Sequence, residues 1–148
     1  MRKILIIEDD NVKIERLLDF FKNDHVVLKE SFQSGLREIK DNFKEYDFLL
    51  LDMTIPLWEK GNNDLGGNYE QFGGERILRE MKRKKLLLPT LLFTMFDIFP
   101  TPDGNLDFAQ INILLKDEFK EFYLGAVFYD SNEENWKAEI TNLLSSIQ

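Results

Sequence analysis

The stretch that decides the fold is Ile4-Leu5-Ile6-Ile7, which ends directly in Glu8-Asp9-Asp10. Four consecutive, mostly β-branched apolar residues are typical of a strand that is buried on both faces of a parallel sheet. A second run of this kind, Phe48-Leu49-Leu50-Leu51, ends in Asp52. Because the carboxyl ends of parallel strands meet at one edge of a sheet, we expect Glu8, Asp9 and Asp52 to lie close together.

Strand-like and helix-like segments alternate along the rest of the chain. We predict strands over 25–28, 86–93 and 126–129, and helices over 11–21, 34–43, 74–85, 106–123 and 133–147. This alternation predicts a single α/β domain over 1–148, a doubly wound five-stranded parallel sheet with helices on both faces. Two segments, about 57–73 and 95–105, are too long for ordinary connections and are predicted to be inserted loops. The first is rich in Gly and Asn and is expected to be mobile.

The composition excludes several functional classes. The 148 residues include 27 Asp and Glu against 19 Lys and Arg, and the net charge of −8 argues against a protein that mainly binds nucleic acid or an anionic membrane. The chain has no cysteine and one histidine, which excludes thiol nucleophiles, disulfides and His-cluster metal sites. It has no apolar run of transmembrane length and no signal peptide, so we expect a cytoplasmic protein.

Glu8, Asp9 and Asp52 need a counter-charge if they lie together. Like charges at close range raise each other's pKa unless a cation neutralises them. A hard divalent ion suits oxygen ligands, and Mg²⁺ is favoured because it takes few carboxylates and keeps several waters. The simpler interpretation is that acidic residues after a strand cap the next helix, and for Asp10 this interpretation is preferred.

Several motifs in this order resemble a response-regulator receiver (CheY-like) domain. They are the stretch 4–10, the segment Asp52-Met53-Thr54-Ile55-Pro56, the strand that ends in Thr94, and Gly125-Ala126-Val127-Phe128-Tyr129. Each motif alone is weak, but their order and spacing cover essentially the whole chain. The resemblance implies the flavodoxin-like strand order 2-1-3-4-5.

The resemblance also implies a site built around Asp52, which would be the phosphoacceptor. Glu8 and Asp9 would bind Mg²⁺ together with Asp52, and the backbone carbonyl of Thr54 would be a further ligand. A carboxylate is already an anion, so it can accept a phosphoryl group by in-line displacement without a general base. Such a domain is no enzyme beyond the self-phosphorylation and dephosphorylation of Asp52.

Two further residues are implied to read out the modification. Thr94 would be the hydroxyl that binds the phosphoryl group, and Tyr129 would be the aromatic switch residue. Each has an equally good structural interpretation. Thr94 can be a hydroxyl satisfied by the backbone at a strand end, and Tyr129 can be an ordinary core residue.

The sequence departs from the receiver pattern in three places. Receivers usually carry a lysine seven residues after the glycine of the Gly-Ala motif, and that count gives Asn132, or Asp130 if the strand is shortened. The segment 57–73 is an insertion beside the acceptor. Met95 and Phe96 follow Thr94 where receivers have a small residue, and their bulk is expected to narrow the approach to Asp52.

The predicted helix from Leu106 to Tyr123 carries more apolar surface than one inward face needs. Its apolar residues include Phe108, Ile111, Ile113, Leu114, Leu115, Phe119 and Phe122. Exposed apolar patches of this size usually mark association, so we predict a homodimer or partner surface on this helix. Alternatively, the neighbouring Pro-rich segment folds back and covers it.

These observations predict a stand-alone receiver domain of a two-component phosphorelay. A histidine kinase or phosphotransfer protein would phosphorylate Asp52 with Mg²⁺, and a downstream protein partner would read the result. The alternative is a phosphorylation-independent pseudo-receiver that acts as a protein-interaction module. A Mg²⁺-dependent phosphohydrolase is a third reading, which is weaker because haloacid-dehalogenase-type enzymes have a second aspartate where this chain has Thr54.

Overall fold

The computed structural model describes residues 1–59, 69–70 and 72–147. In chain order the strands are β1 Lys3–Ile7, β2 His25–Lys29, β3 Phe48–Leu51, β4 Ile55–Pro56, β5 Tyr69–Glu70, β6 Thr90–Thr94, β7 Ile98–Thr101, β8 Gly104–Asp107 and β9 Tyr123–Phe128. The α-helices are α1 Asn11–Phe20, α2 Phe32–Asn42, α3 Gly73–Lys84, α4 Phe108–Glu118 and α5 Asn135–Leu144. Short 3-10 helices, Phe43–Glu45 and Ser145–Ile147, follow α2 and α5.

Five parallel strands form the central sheet in the order β2-β1-β3-β6-β9. Counted within this sheet alone, the order is 2-1-3-4-5, so the predicted fold class and strand order are confirmed. In the parallel register Ile7 lies beside Leu51, and Thr94 lies beside Phe128. The chain segments after these strands therefore leave the sheet at the same edge.

The three central strands β1, β3 and β6 are buried on both faces, which explains their apolar runs. One hydrophobic cluster joins Leu5 and Leu49 to helices α2, α3 and α4. The other joins Ile4 and Leu50 to α1 and α5. Successive residues of a strand point to opposite faces, so each face receives every second side chain. None of the helices in the described ranges is long and apolar enough to cross a membrane.

Side-chain caps decide where the first two helices begin. The Asp10 carboxylate accepts the N–H of Val12 at 3.0 Å, so Asp10 caps α1 as predicted. The hydroxyl of Ser31 accepts the N–H of Ser34 at 3.1 Å, and α2 therefore begins earlier than the predicted start at Ser34.

The prediction of one long helix from Leu106 to Tyr123 was wrong. Asp107 and Gln110 form a capping box that starts α4 after Leu106, which itself belongs to β8. At the other end Tyr123 lies opposite Thr90 and opens β9. A short apolar run satisfies helix and strand patterns equally, so local periodicity missed both boundaries.

Antiparallel strand pairs lie at both predicted insertions. At the first, β5 pairs with β4, which directly precedes the insertion, but residues 60–68 and 71, which hold most of the Gly and Asn of this segment, lie outside the described residues. In the second, β7 and β8 form a hairpin instead of an irregular loop. Gly104 closes this hairpin with a φ of 115°, a conformation that favours glycine.

Gly74 lets α3 start against the backbone that follows β3. Its N–H donates to the carbonyl oxygen of Met53 at 2.8 Å, and a Cβ at Gly74 would lie 2.5 Å from the carbonyl oxygen of Asp52. A backbone atom cannot be displaced as readily as the end of a side chain. The segment that carries Asp52 is therefore positioned by a contact that only glycine allows.

We expect Gly74→Ala to lower the free energy of unfolding by about 2 kcal/mol, because the new methyl group forces backbone to move. The matched control is Gly35→Ala, because the three atoms nearest to its new Cβ would all belong to the side chain of Ile7 and not to backbone. Urea denaturation of both variants tests this. Equal losses of stability in the two variants would contradict it.

Candidate functional site

Three carboxylates lie together at the C-terminal edge of the sheet. Glu8 and Asp9 follow β1, Asp52 follows β3, and one oxygen of each lies within 4.8 Å of the others. Glu8 and Asp52 are buried and Asp9 is half-buried. The parallel register of β1 and β3 thus produces the convergence expected from the two strand ends.

The Glu8 side chain is hydrogen-bonded to the backbone just before α1. Its Oε2 accepts the N–H of Asp9 at 3.1 Å and the N–H of Asp10 at 3.2 Å. Hydrogen bonds of this kind favour the charged carboxylate. They also occupy one of the two oxygens that Glu8 offers to the pocket.

A lysine that the sequence analysis did not single out completes the cluster. Lys13 lies in the first turn of α1 with its side chain only 1% exposed. Its Nζ lies 2.8 Å from Glu8 Oε1 and 3.1 Å from Asp52 Oδ2. The same ammonium lies 5.8 Å from the centre of the Phe93 ring, close enough for a cation–π interaction. The pocket therefore contains a cation of its own.

One ammonium does not balance two buried carboxylates. Burial raises the pKa of Glu8 to about 9, and the charge of Asp52 adds to this effect while Lys13 opposes it. Burial also raises the pKa of Asp52, again against the influence of Lys13. Burial alone would lower the pKa of Lys13, but the two carboxylates outweigh it and hold that pKa above its usual value. With both carboxylates ionised, the cluster is short of positive charge.

The spacing of buried residues along α1 contains a pattern that could have identified Lys13 as part of the site. The apolar residue Val12 is 58% exposed, whereas Lys13, Leu17 and Phe21 are buried. These three residues lie four apart and share one helix face. A charged residue in register with two buried apolar residues, one turn after an acidic cluster, is the pattern that would have identified it.

Asp52 is followed by a segment that the structure ties to α3. Thr54, whose carbonyl the resemblance implies as a metal ligand, is half-buried between β3 and β4. Its neighbour Met53 accepts the N–H of Gly74. The ligand role of the Thr54 carbonyl stays a prediction.

Thr94 and Tyr129 end neighbouring strands at the same edge. Thr94 is fully buried at the end of β6, and its Oγ1 accepts the N–H of Phe96 at 3.1 Å. Tyr129 follows β9 and donates its N–H to the Thr94 carbonyl at 2.8 Å. Its ring packs on Phe93, and its hydroxyl accepts a hydrogen bond from Arg16 at 3.2 Å. Their switch roles stay predictions.

The positions that depart from the receiver pattern surround this edge. Asn132 donates its N–H to the Asp130 carboxylate at 2.9 Å in the turn after β9, so neither position supplies a cation. Met95 and Phe96 are both partly exposed after β6. The positive charge in the pocket comes from α1 instead.

The residues present fit a hard divalent cation. Three carboxylates converge, and Asp52 Oδ1 is buried with no hydrogen-bond partner among the described residues. An orphaned buried carboxylate oxygen is costly unless an ion or water satisfies it. Oxygen ligands of this type suit Mg²⁺.

Lys13→Met should lower the free energy of unfolding by about 3 kcal/mol in EDTA, because it leaves buried carboxylates without their cation. Urea denaturation measures the loss. Lys22→Met removes the same charge from the exposed turn after α1 and serves as the control. If the two variants are equally stable, the ion pair contributes nothing to folding.

The chain is similar to two proteins along almost its whole length. It is 26% identical over 151 residues to the uncharacterized protein y4jR of Sinorhizobium fredii, with 98% of each chain covered. It is 24% identical over 151 residues to the Detocs response regulatory protein DtcB of Enterobacter cloacae, with 97% of this chain and 99% of that protein covered. No protein-family model matches the chain.

Solved structures of receiver domains superpose on this fold. A response regulator receiver domain from Clostridium thermocellum matches with a TM-score of 0.62 at 20% identity, covering 99% of this chain and 96% of that one. A CheY-like receiver domain from Methanospirillum hungatei gives 0.63 at 14% identity, with 99% and 96% covered. The CheX–CheY–BeF₃–Mg²⁺ complex from Borrelia burgdorferi gives 0.60 at 12% identity, with 99% and 88% covered. The chain therefore has the fold of response-regulator receiver (CheY-like) domains, and the resemblance drawn from its sequence is confirmed.

Proposed function

We propose that this protein is a response-regulator receiver domain of two-component signalling that is phosphorylated on Asp52. The observation that carries the proposal is the carboxylate cluster of Glu8, Asp9 and Asp52, at the C-terminal edge of a sheet with receiver topology. Ligands in open α/β sheets bind at this edge. The similarity to DtcB, which is named a response regulatory protein, supports the same function.

The chemistry requires little from the protein beyond Asp52. Its carboxylate attacks the phosphorus of a phosphohistidine on a histidine kinase or phosphotransfer protein. The new O–P bond forms as the P–N bond breaks, and the imidazole leaves with the electron pair. The product is an aspartyl phosphate. Glu8, Asp9, Asp52 and the Thr54 carbonyl would hold Mg²⁺, which when bound neutralises charge on the phosphoryl oxygens.

Thr94 is the proposed link between Asp52 and the β7–β8 hairpin. Its hydroxyl now accepts the N–H of Phe96, the residue that leads towards β7. A phosphoryl group on Asp52 adds strong acceptor oxygens, which would attract that hydroxyl as a donor. We propose that a change at Thr94 passes through this hydrogen bond to the β7–β8 hairpin and α4, where a downstream protein reads it.

Acetyl phosphate with Mg²⁺ should add the mass of one phosphoryl group to the wild-type chain. The same treatment should leave Asp52→Asn unchanged, and EDTA should abolish the reaction. Intact-protein mass spectrometry measures all three. No mass increase in the wild type would overturn the proposal and leave the pseudo-receiver, whereas turnover of a phosphoester would favour a phosphohydrolase.

Trp58 should report the same events by fluorescence. It lies in the segment after β4 and is 41% exposed. In a Trp136→Phe background, which leaves Trp58 as the single tryptophan, we expect Mg²⁺, followed by beryllofluoride, to change the emission when Asp52 is present but not in Asp52→Asn. An unchanged emission in a protein of this background that gains phosphoryl mass would mean that this segment does not respond to the site.

The structure leaves a smaller exposed apolar surface for the predicted homodimer than the sequence suggested. Within α4 and the residues after it, Ile111, Leu115 and Phe119 are buried, whereas Ile113 is 66% and Leu114 51% exposed. If this face joins two copies, light scattering should show a dimer that Ile113→Asp with Leu114→Asp converts to a monomer. Leu18→Asp, an exposed position on α1, is the control. A monomeric wild type with and without acetyl phosphate would remove the prediction.

A further inference from the structure

We propose that Lys13 is a built-in competitor for the divalent cation of the acidic pocket. In this view the Lys13 ammonium and the metal ion are alternative partners of Glu8 and Asp52, and the metal must release Lys13 in order to bind. The inference rests on the proposed function, because it concerns the same site. It assigns a regulatory role to a residue that lies outside the receiver motifs.

The first argument for this competition is that most carboxylate oxygens of the pocket already have partners. Glu8 Oε2 accepts the N–H groups of Asp9 and Asp10, while Glu8 Oε1 and Asp52 Oδ2 both face Lys13 Nζ. Among the four carboxylate oxygens of Glu8 and Asp52, Glu8 Oε1 and Asp52 Oδ1 accept no hydrogen bond from the described residues, but Glu8 Oε1 is paired with the Lys13 ammonium at 2.8 Å. An ion that takes oxygens from both carboxylates must therefore replace Lys13 or break the bonds of Glu8 to the backbone.

The second argument is the repulsion between the positive charges of Lys13 and the metal ion. The Lys13 side chain is 1% exposed, so water does little to screen its ammonium from an ion bound beside it. Like charges in a pocket with a low dielectric constant repel strongly. A divalent ion and a fixed ammonium would therefore not share two carboxylates. The arrangement favours exchange of one cation for the other.

The position of Lys13 makes the exchange feasible for the fold. The residue lies in the first turn of α1, three residues after the cap Asp10, and its long side chain reaches the two carboxylates. The ammonium is attached by a flexible stem with several rotatable bonds, so it can leave without the helix moving. The hydrogen bonds of Glu8 to the backbone can then remain in place.

Mg²⁺ titration by calorimetry tests the competition with the full chain. Lys13→Met should bind Mg²⁺ about tenfold tighter than the wild type or better, because a neighbouring positive charge is gone. The control Lys22→Met, which changes the net charge equally at an exposed site, should stay within about twofold of the wild type. Binding by Lys13→Met that is equal to or weaker than that of the wild type, or absent in both, overturns the inference.

A second measurement uses the wild type and does not depend on the folding of a variant. Amine acetylation followed by peptide mass spectrometry should find Lys13 protected in EDTA and more reactive in saturating Mg²⁺. Lys22 should react equally in both conditions. Protection of Lys13 that does not change with Mg²⁺ would overturn the inference.

The outcomes separate this inference from the proposed function. A wild type that is phosphorylated on Asp52, with Mg²⁺ affinity indifferent to Lys13, would overturn the competition alone. Tighter Mg²⁺ binding by Lys13→Met in a protein that never accepts a phosphoryl group would support the competition and overturn the phosphorylation.

Discussion

The ion cluster of Lys13 with Glu8 and Asp52 joins the elements that form the candidate site. Glu8 comes from the end of β1, Asp52 from the end of β3 and Lys13 from α1, so three elements meet in one buried contact. A buried ion pair adds little net stability by itself. Removing one partner nevertheless lowers the free energy of unfolding, because the remaining charges are left buried without a counter-charge. The same ion cluster therefore sets both the placement of α1 against the edge of the sheet and the electrostatic environment of Asp52.

The remaining features of the site are arranged around that edge. Gly74 brings α3 against the backbone of Asp52, and the Thr94 hydroxyl holds the segment that leads into the β7–β8 hairpin. Tyr129 donates its N–H to Thr94 and receives Arg16 from α1. Helices from both faces of the sheet thus contact the residues next to Asp52. A change of charge there has several direct routes into the surrounding structure, each consisting of one hydrogen bond or backbone contact.

The chain combines the receiver fold with an altered distribution of positive charge. The positions after β9 at which receivers usually have a lysine are Asp130 and Asn132, which bind each other. The cation in the pocket is supplied from the opposite side, by Lys13 on α1. With both buried carboxylates ionised, one ammonium leaves the cluster short of positive charge, and burial, reinforced by the charge of Asp52, raises the pKa of Glu8. Asp52 Oδ1, which is buried without a hydrogen-bond partner among the described residues, marks the place where that charge is lacking.

The sequence by itself determined the sheet, its parallel strands and the meeting of Glu8, Asp9 and Asp52, because buried apolar runs that end in acids carry that information locally. The ends of the helices were harder to predict from the sequence. They depend on the Asp107–Gln110 capping box and on the pairing of Tyr123 with Thr90, which outweigh apolar periodicity. Only the tertiary structure decided that Lys13 enters the pocket. A long side chain on an amphipathic helix can point to solvent or to a buried carboxylate, and the choice depends on charges that folding brings there from β1 and β3.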